Sequence, residues 1–125
     1  MEEIFHRITD SELPIMHCLW NASEALTMNE ILESLHRQST WEDSTIKTIV
    51  QRLCTKGLIK KEKREVFYYS PVISLEAYSE QATRNLVQQF YRGSAKRLVA
   101  ALVDTELDEK DIDELRALLG EGRGE

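Results

Sequence analysis

The sequence predicts a mostly α fold with a small β wing: a winged helix-turn-helix domain over residues 1–72, then a C-terminal helical dimerisation domain over 73–125. Three observations carry that prediction. Residues 42–56 form an amphipathic helix, because Ile46, Ile49, Val50, Leu53 and Cys54 recur at the spacing of one helix face while the opposite face is polar. A basic hairpin follows at once, with Lys60, Lys61, Lys63 and Arg64 ahead of the strand-like run Val66, Phe67, Tyr68, Tyr69. Beyond Pro71 every apolar pattern is helical, and each is a single stripe.

Residues 1–7 read as a short leader. The first helix is expected to begin near Ser11 as its cap, since Pro14 lacks an N–H and suits only an opening turn. Leu13, Met16, Leu19 and Trp20 then make an apolar stripe, and Trp20 reads as a core residue because it continues that spacing. Residues 21–25 break the period and read as a loop. Thr27 and Glu30 form a capping box ahead of Ile31, Leu32 and Leu35, in a second helix ending near His36 or Arg37. Residues 38–41 are the turn into the third helix, and Gly57 stands at that helix's C-cap. Leu58 and Ile59 open the hairpin. Residues 62–65 hold no Gly or Asn, so a longer or less regular tip is expected rather than a tight primed turn. Pro71 stops the second strand.

The rest is helical. Leu75, Tyr78, Ala82, Leu86, Gln89 and Phe90 mark one long amphipathic helix, interrupted at Arg92-Gly93. A second runs from Ser94 to Val103 through Leu98, Val99 and Leu102. Asp108 caps a third, lined by Ile112, Leu115, Leu118 and Leu119, and Gly120, Gly122 and Gly124 suggest a frayed tail. Each stripe has little to cover it within one chain, whereas two copies wrapped together bury it. Leu75, Tyr78, Leu86, Phe90, Leu98, Leu102, Ile112 and Leu115 are therefore the expected dimerisation residues, and a homodimer the expected assembly.

Charge distribution narrows the partner. The 125 residues carry a formal charge of -6, from 22 acidic and 16 basic side chains. Residues 37–64 nevertheless hold eight Lys or Arg against three acids, while residues 1–36 and 104–125 are each strongly acidic. A polyanion feels the local field of the surface it meets, so the asymmetry outweighs the total. Ser44, Thr45, Lys47, Thr48, Gln51 and Arg52 on the polar face, with Lys56 at its end, can bond base edges and phosphates. Lys60, Lys61, Lys63 and Arg64 on the wing can follow the backbone. In that reading Lys47 and Arg52 take phosphate or guanine, and Thr45 and Thr48 bond a base or pack on a thymine methyl. Each good base contact is worth about 1–3 kcal/mol of discrimination.

Other classes recede. His6, His17 and His36 form no metal-ligand pair at i, i+4, so neither a metal site nor catalysis is expected, and no cofactor. Cys18 and Cys54 lie in apolar helical patterns and read as free thiols. With no cationic-apolar leader and no run of about 18 apolar residues, a soluble cytoplasmic protein without membrane insertion is expected.

The pattern Trp41-x-x-Ser44-Thr45-Ile46-Lys47-Thr48-x-x-x-Arg52-Leu53-x-x-Lys56-Gly57-Leu58-Ile59, followed by Phe67-Tyr68-Tyr69-Ser70-Pro71, resembles the penicillinase and methicillin-resistance repressor family (BlaI/MecI), which includes copper-responsive repressors. The resemblance takes in Ile8-Thr9-Asp10-Ser11-Glu12 through Trp20 at the front. At the back it takes in Phe90-Tyr91-Arg92-Gly93-Ser94 and the acidic helix ending in Leu118-Leu119. It implies a homodimeric winged-helix repressor with a swapped helical domain, bound to double-stranded palindromic operator DNA of a TACA/TGTA type. Ser44, Thr45, Lys47, Thr48 and Arg52 then face the DNA, with Tyr69 and the wing against its backbone.

The antibiotic-sensing members are cut by a regulatory protease at an Asn-Phe bond in the helix after Gly-Ser. The matching positions here are Ala101 and Leu102, which implies a shifted cut or a protease of different preference. Copper-sensing members carry paired Cys-x-Cys motifs in the tail, and residues 120–125 hold no cysteine, which argues against copper release. The wing also lacks the glycine that many relatives place near Arg64-Glu65. The competing reading is a winged-helix protein–protein module without operator specificity.

Overall fold

A computed structural model describes residues 7–122, so His6 and Gly124, used above, lie outside the described residues. The chain forms two units, the first ending at Gln81 and the second starting at Ala82. The first contains α1 (Leu13–Asn21), β1 (Leu26–Thr27), α2 (Met28–Gln38), α3 (Asp43–Thr55), β2 (Ile59–Lys63), β3 (Phe67–Pro71) and the opening turns of α4 (Leu75–Tyr91). This is the mostly helical fold with a small wing that the sequence predicts.

The core of this unit is one apolar cluster. Ile15, Met16 and Leu19 of α1, Ile31 and Leu35 of α2, and Ile46, Val50 and Leu53 of α3 meet there, closed by Ile59 and Tyr69 from the sheet. The helical stripes read from the sequence are thus the faces that pack. Trp20 sits partly buried against the same cluster and donates its indole N–H to the Ile73 carbonyl at 2.9 Å. The bond supplies the polar partner that a packed indole needs.

The sheet is antiparallel in the order β1-β3-β2, with Leu26 opposite Tyr69, Ile59 opposite Pro71 and Lys63 opposite Phe67. The two-residue β1 is not visible in the sequence. It exists because the loop after α1 passes the free edge of β3. The wing is more regular than residues 62–65 suggested: pairing persists to Lys63, leaving Arg64, Glu65 and Val66 as the tip, where the Arg64 N–H donates to the Val66 carbonyl at 2.9 Å.

α2 opens on the expected capping box, with Thr27 and Glu30 exchanging bonds of 2.8 and 3.2 Å. α1 opens differently from the expectation. Ser11 is not its cap; Glu12 occupies that position without a capping side-chain bond, and Pro14 lies in the first turn. The chain before it is folded into a turn in which the Glu12 N–H donates to the Thr9 carbonyl at 3.0 Å. The Thr9 N–H in return donates to the Glu12 carboxylate at 2.9 Å. α3 ends at Thr55 with Lys56 as its C-cap, one residue before the expected Gly57, whose φ of 84° lies in the left-handed region. There the Gly57 N–H donates to the Cys54 carbonyl and the Leu58 N–H to that of Leu53, both at 3.0 Å, so the chain turns straight from α3 into β2.

The second unit holds the remainder of α4, α5 (Ala95–Thr105) and α6 (Glu109–Gly122). α4 stops at Arg92 and Gly93, with φ of 52° and 82°, where the sequence shows the interruption. Ser94 caps α5 by accepting the Arg97 N–H at 3.2 Å. Asp108 and Asp111 exchange bonds of 3.2 and 2.9 Å at the start of α6. α6 continues through Gly120 to Gly122, where the glycines suggested a frayed tail, because extending an existing helix adds a hydrogen bond per residue fixed.

Candidate nucleic-acid interface

The helix-turn-helix is α2 and α3. At the turn, Ser39 Oγ donates to the Leu35 carbonyl at 3.0 Å and accepts the Trp41 N–H at 3.3 Å. His36 Nε2 stands 2.8 Å from Asp43 Oδ1, tying the end of α2 to the first residue of α3. With Ile46, Ile49, Val50 and Leu53 buried, the rotation of α3 about its axis is set. Ser44, Thr45, Lys47, Thr48 and Gln51 are all exposed, and none of these side chains has a hydrogen bond or ion pair within the described residues. Such a face of hydroxyls, an amide and an ammonium offers both donors and acceptors outward.

Arg52 and Lys56, placed on the same face by the sequence, are engaged inward. Arg52 Nε donates to Glu12 Oε2 at 2.8 Å and Arg52 Nη2 to Ser11 Oγ at 3.2 Å. Lys56 Nζ donates to Glu12 Oε1 at 2.8 Å and to the Arg7 carbonyl at 3.1 Å. Glu12 is fully buried. Burial by itself raises its pKa, but the bonds from Lys56, the Thr9 N–H and Arg52 outweigh it and hold the carboxyl at about 2. Glu12 had no role of its own in the sequence reading, and no periodic signal links it to residues 40 and more positions away.

On the wing Lys60, Lys61, Lys63 and Arg64 are exposed. Lys61 and Lys63 both stand over the ring of Phe67, their ammonium groups 4.2 and 4.7 Å from its centre, and Arg64 lies 4.6 Å from that of Tyr68. These contacts hold the three cations along the hairpin, and Phe67 and Tyr68 are wing residues whose part the sequence reading did not name. Tyr69 is only 5% exposed, in the core opposite Lys61, and burial pushes its hydroxyl pKa up.

Of the residues assigned to dimerisation, Tyr78 packs within the first unit: its Oη accepts the Ile8 N–H at 2.8 Å and its ring lies 6.1 Å from that of Trp20. Ile112 and Leu98 are half-buried, while Leu75, Leu86, Leu102, Leu115 and Phe90 are exposed, Phe90 by 70%. No residue of α4 or α5 is buried. Ala101 and Leu102 lie inside α5. Thr105 Oγ1 donates to the Ala101 carbonyl at 2.7 Å, and the Leu102 carbonyl takes the N–H groups of Glu106 and Leu107 at 2.8 and 3.0 Å. Cys18 and Cys54 are free thiols. Among the described residues no group of three His, Cys, Asp or Glu is placed to hold a metal, and no helix is long and apolar enough to cross a membrane.

The model of the penicillinase repressor family matches residues 8–121. The chain is 32% identical to the penicillinase repressor of Bacillus licheniformis over 117 residues, 92% of this chain and 91% of that protein. It is 29% identical to the methicillin resistance regulatory protein MecI of Staphylococcus aureus (strain N315) over 121 residues, 95% of this chain and 98% of that one. Among solved structures it is similar to the monomeric form of Bacillus licheniformis BlaI in complex with the blaP half-operator, at 35% identity and a TM-score of 0.52. That match covers 58% of this chain and 89% of the other.

Proposed function

Because this chain belongs to the penicillinase repressor family, we propose that it is a dimeric, sequence-specific DNA-binding repressor that silences a promoter by occupying a two-fold operator. One observation carries the reading: the outward row of Ser44, Thr45, Lys47, Thr48 and Gln51 on a helix whose other face is locked into the core. An α-helix fits the major groove, where hydroxyl and amide side chains read base edges and an ammonium takes a phosphate or a guanine. The wing cations Lys60, Lys61, Lys63 and Arg64 flank the groove on the backbone. Bound polymerase and bound repressor then compete for the same DNA, and the protein needs no chemistry of its own.

The similar BlaI structure pairs one monomeric form with a half-operator. A palindrome offers two such halves, and the exposed apolar stripes of α4, α5 and α6 suit a second copy of the chain, whose burial joins two readers into one. Release by a regulatory protease at or near Ala101-Leu102 fits the same arrangement. The bond sits in a hydrogen-bonded helix, so α5 must open locally before a protease takes it in extended form. A cut there separates α6 from the rest of the apolar face.

The experiment is to select duplexes from a random pool, then titrate the winner and its scrambled version across a salt series. Strong preference for the selected, two-fold sequence and an affinity falling steeply with salt are expected. Equal affinity for both duplexes overturns the reading and favours a protein–protein module.

A further inference from the structure

We propose that Glu12 is the positioning residue of the DNA-reading helix: it braces Arg52 and Lys56 against the turn before α1 and so withholds both cations from the phosphates. The inference rests on the repressor reading and adds a specificity-determining residue to it.

Glu12 stands out because, among the described residues, it is the only buried one that carries a charge. Both its oxygens are used. Oε1 takes Lys56 Nζ and the Thr9 N–H, and Oε2 takes Arg52 Nε. A carboxylate sealed from water and stripped of its cations is strongly unfavourable, so a cation that moves to a phosphate takes away one of the two ion pairs that compensate its burial. The flanking bonds reinforce the brace, since Arg52 also holds Ser11 and Lys56 also holds the Arg7 carbonyl. Four hydrogen bonds from two residues at the end of α3 thus converge on one turn far away in sequence.

The mechanical consequence falls on the reading end of α3. Ser44 lies about 12 Å along the helix axis from Arg52, and a tilt of about 10° at the braced end displaces it by about 2 Å. Hydrogen bonds to base edges tolerate a few tenths of an ångström, so a loose brace destroys base reading while leaving charge attraction intact. Phosphate contacts strengthen binding to every sequence alike, so withholding two cations lowers affinity and salt dependence without changing the preference, which rests on the placement of the helix.

Arg52 is half-exposed at its outer edge, and salt dependence distinguishes a brace from a phosphate contact. The test uses the full chain with the selected and the scrambled duplex. Lys47→Ala, a free cation, should lower the salt slope by about 0.9. Arg52→Ala should leave the slope unchanged while the preference for the selected duplex falls by about tenfold, the scale of one base contact. Glu12→Gln keeps the shape but frees both cations, so preference should fall while the slope steepens. An Arg52→Ala slope lowered by about 0.9 makes Arg52 a phosphate ligand and overturns the proposal. So does a folded Glu12→Gln protein with wild-type preference. If Glu12→Gln fails to fold, the Arg52→Ala slope decides alone. Wild-type protein that prefers neither duplex removes the repressor reading itself, whereas these variant results on a discriminating wild type remove only the brace.

Discussion

The two units dispose of their apolar side chains in opposite ways. In the first, Ile15, Met16, Ile31, Leu35, Ile46, Val50 and Leu53 are shut away completely, and the sheet closes over them with Ile59 and Tyr69. In the second, Leu118 and Leu119 are more than half exposed and Phe90 more so, although their helices are as amphipathic and as carefully capped. Amphipathic stripes alone do not make a core; they need a partner surface. Three helices and a hairpin supply one within the first unit. The second, by its apolar exposure, is suited to a surface outside itself.

The sharpest way to break this contrast is to truncate one apolar side chain in each region. Leu53→Ala should cost about 2–5 kcal/mol, the usual penalty of a core cavity, and denaturant unfolding should show that loss at every protein concentration. Phe90→Ala should show a loss that shrinks as the protein is diluted, as the proposed burial of its exposed ring between two copies requires. Sedimentation equilibrium of the same variant should register a weakened dimer. A loss at Phe90 that does not vary with concentration, in a chain that stays monomeric, erases the distinction between the two regions.

The next effect belongs to Glu12, the one buried charge among the described residues of the first unit. Burial raises the Glu12 pKa and the bonds from Lys56, Thr9 and Arg52 more than reverse that, to about 2 against an ordinary 4.5. A carboxyl depressed in the folded state stabilises it above the unfolded pKa, and that stabilisation disappears as pH falls through the window between the two values. Its size is about 3 kcal/mol, present at neutral pH and lost between about pH 5 and pH 2. Thermal melts across that range should therefore decline more steeply for wild type than for Glu12→Gln. Parallel declines remove the carboxylate from the account. The smallest effect is at α2, where Thr27→Ala should lower unfolding stability by about 1 kcal/mol through loss of the capping bond to the Glu30 N–H.

Local chemistry determined most of the architecture. The capping box at Thr27 and Glu30, the stop at Gly57, the break at Arg92-Gly93, the cap at Asp108 and the stripes of α1, α2 and α3 each depend on residues within a few positions of one another. Their periodicity or spacing is therefore printed in the chain. The outward face of α3 follows from the same stripe, since burying Ile46, Ile49, Val50 and Leu53 leaves Ser44, Thr45, Lys47, Thr48 and Gln51 nowhere to point but out. What only the tertiary structure decided are the pairings between distant residues. β1 is a strand only because β3 lies beside it, and Tyr69, one of four consecutive strand-like residues, turns out to be the one facing the core. Arg52 and Lys56 were legible as cations on a polar face, yet their inward engagement depends on a carboxylate at Glu12 on another element. Ion pairing has no period along a chain. It is settled by which charges the fold brings within reach of each other, and by the penalty of leaving one of them buried alone.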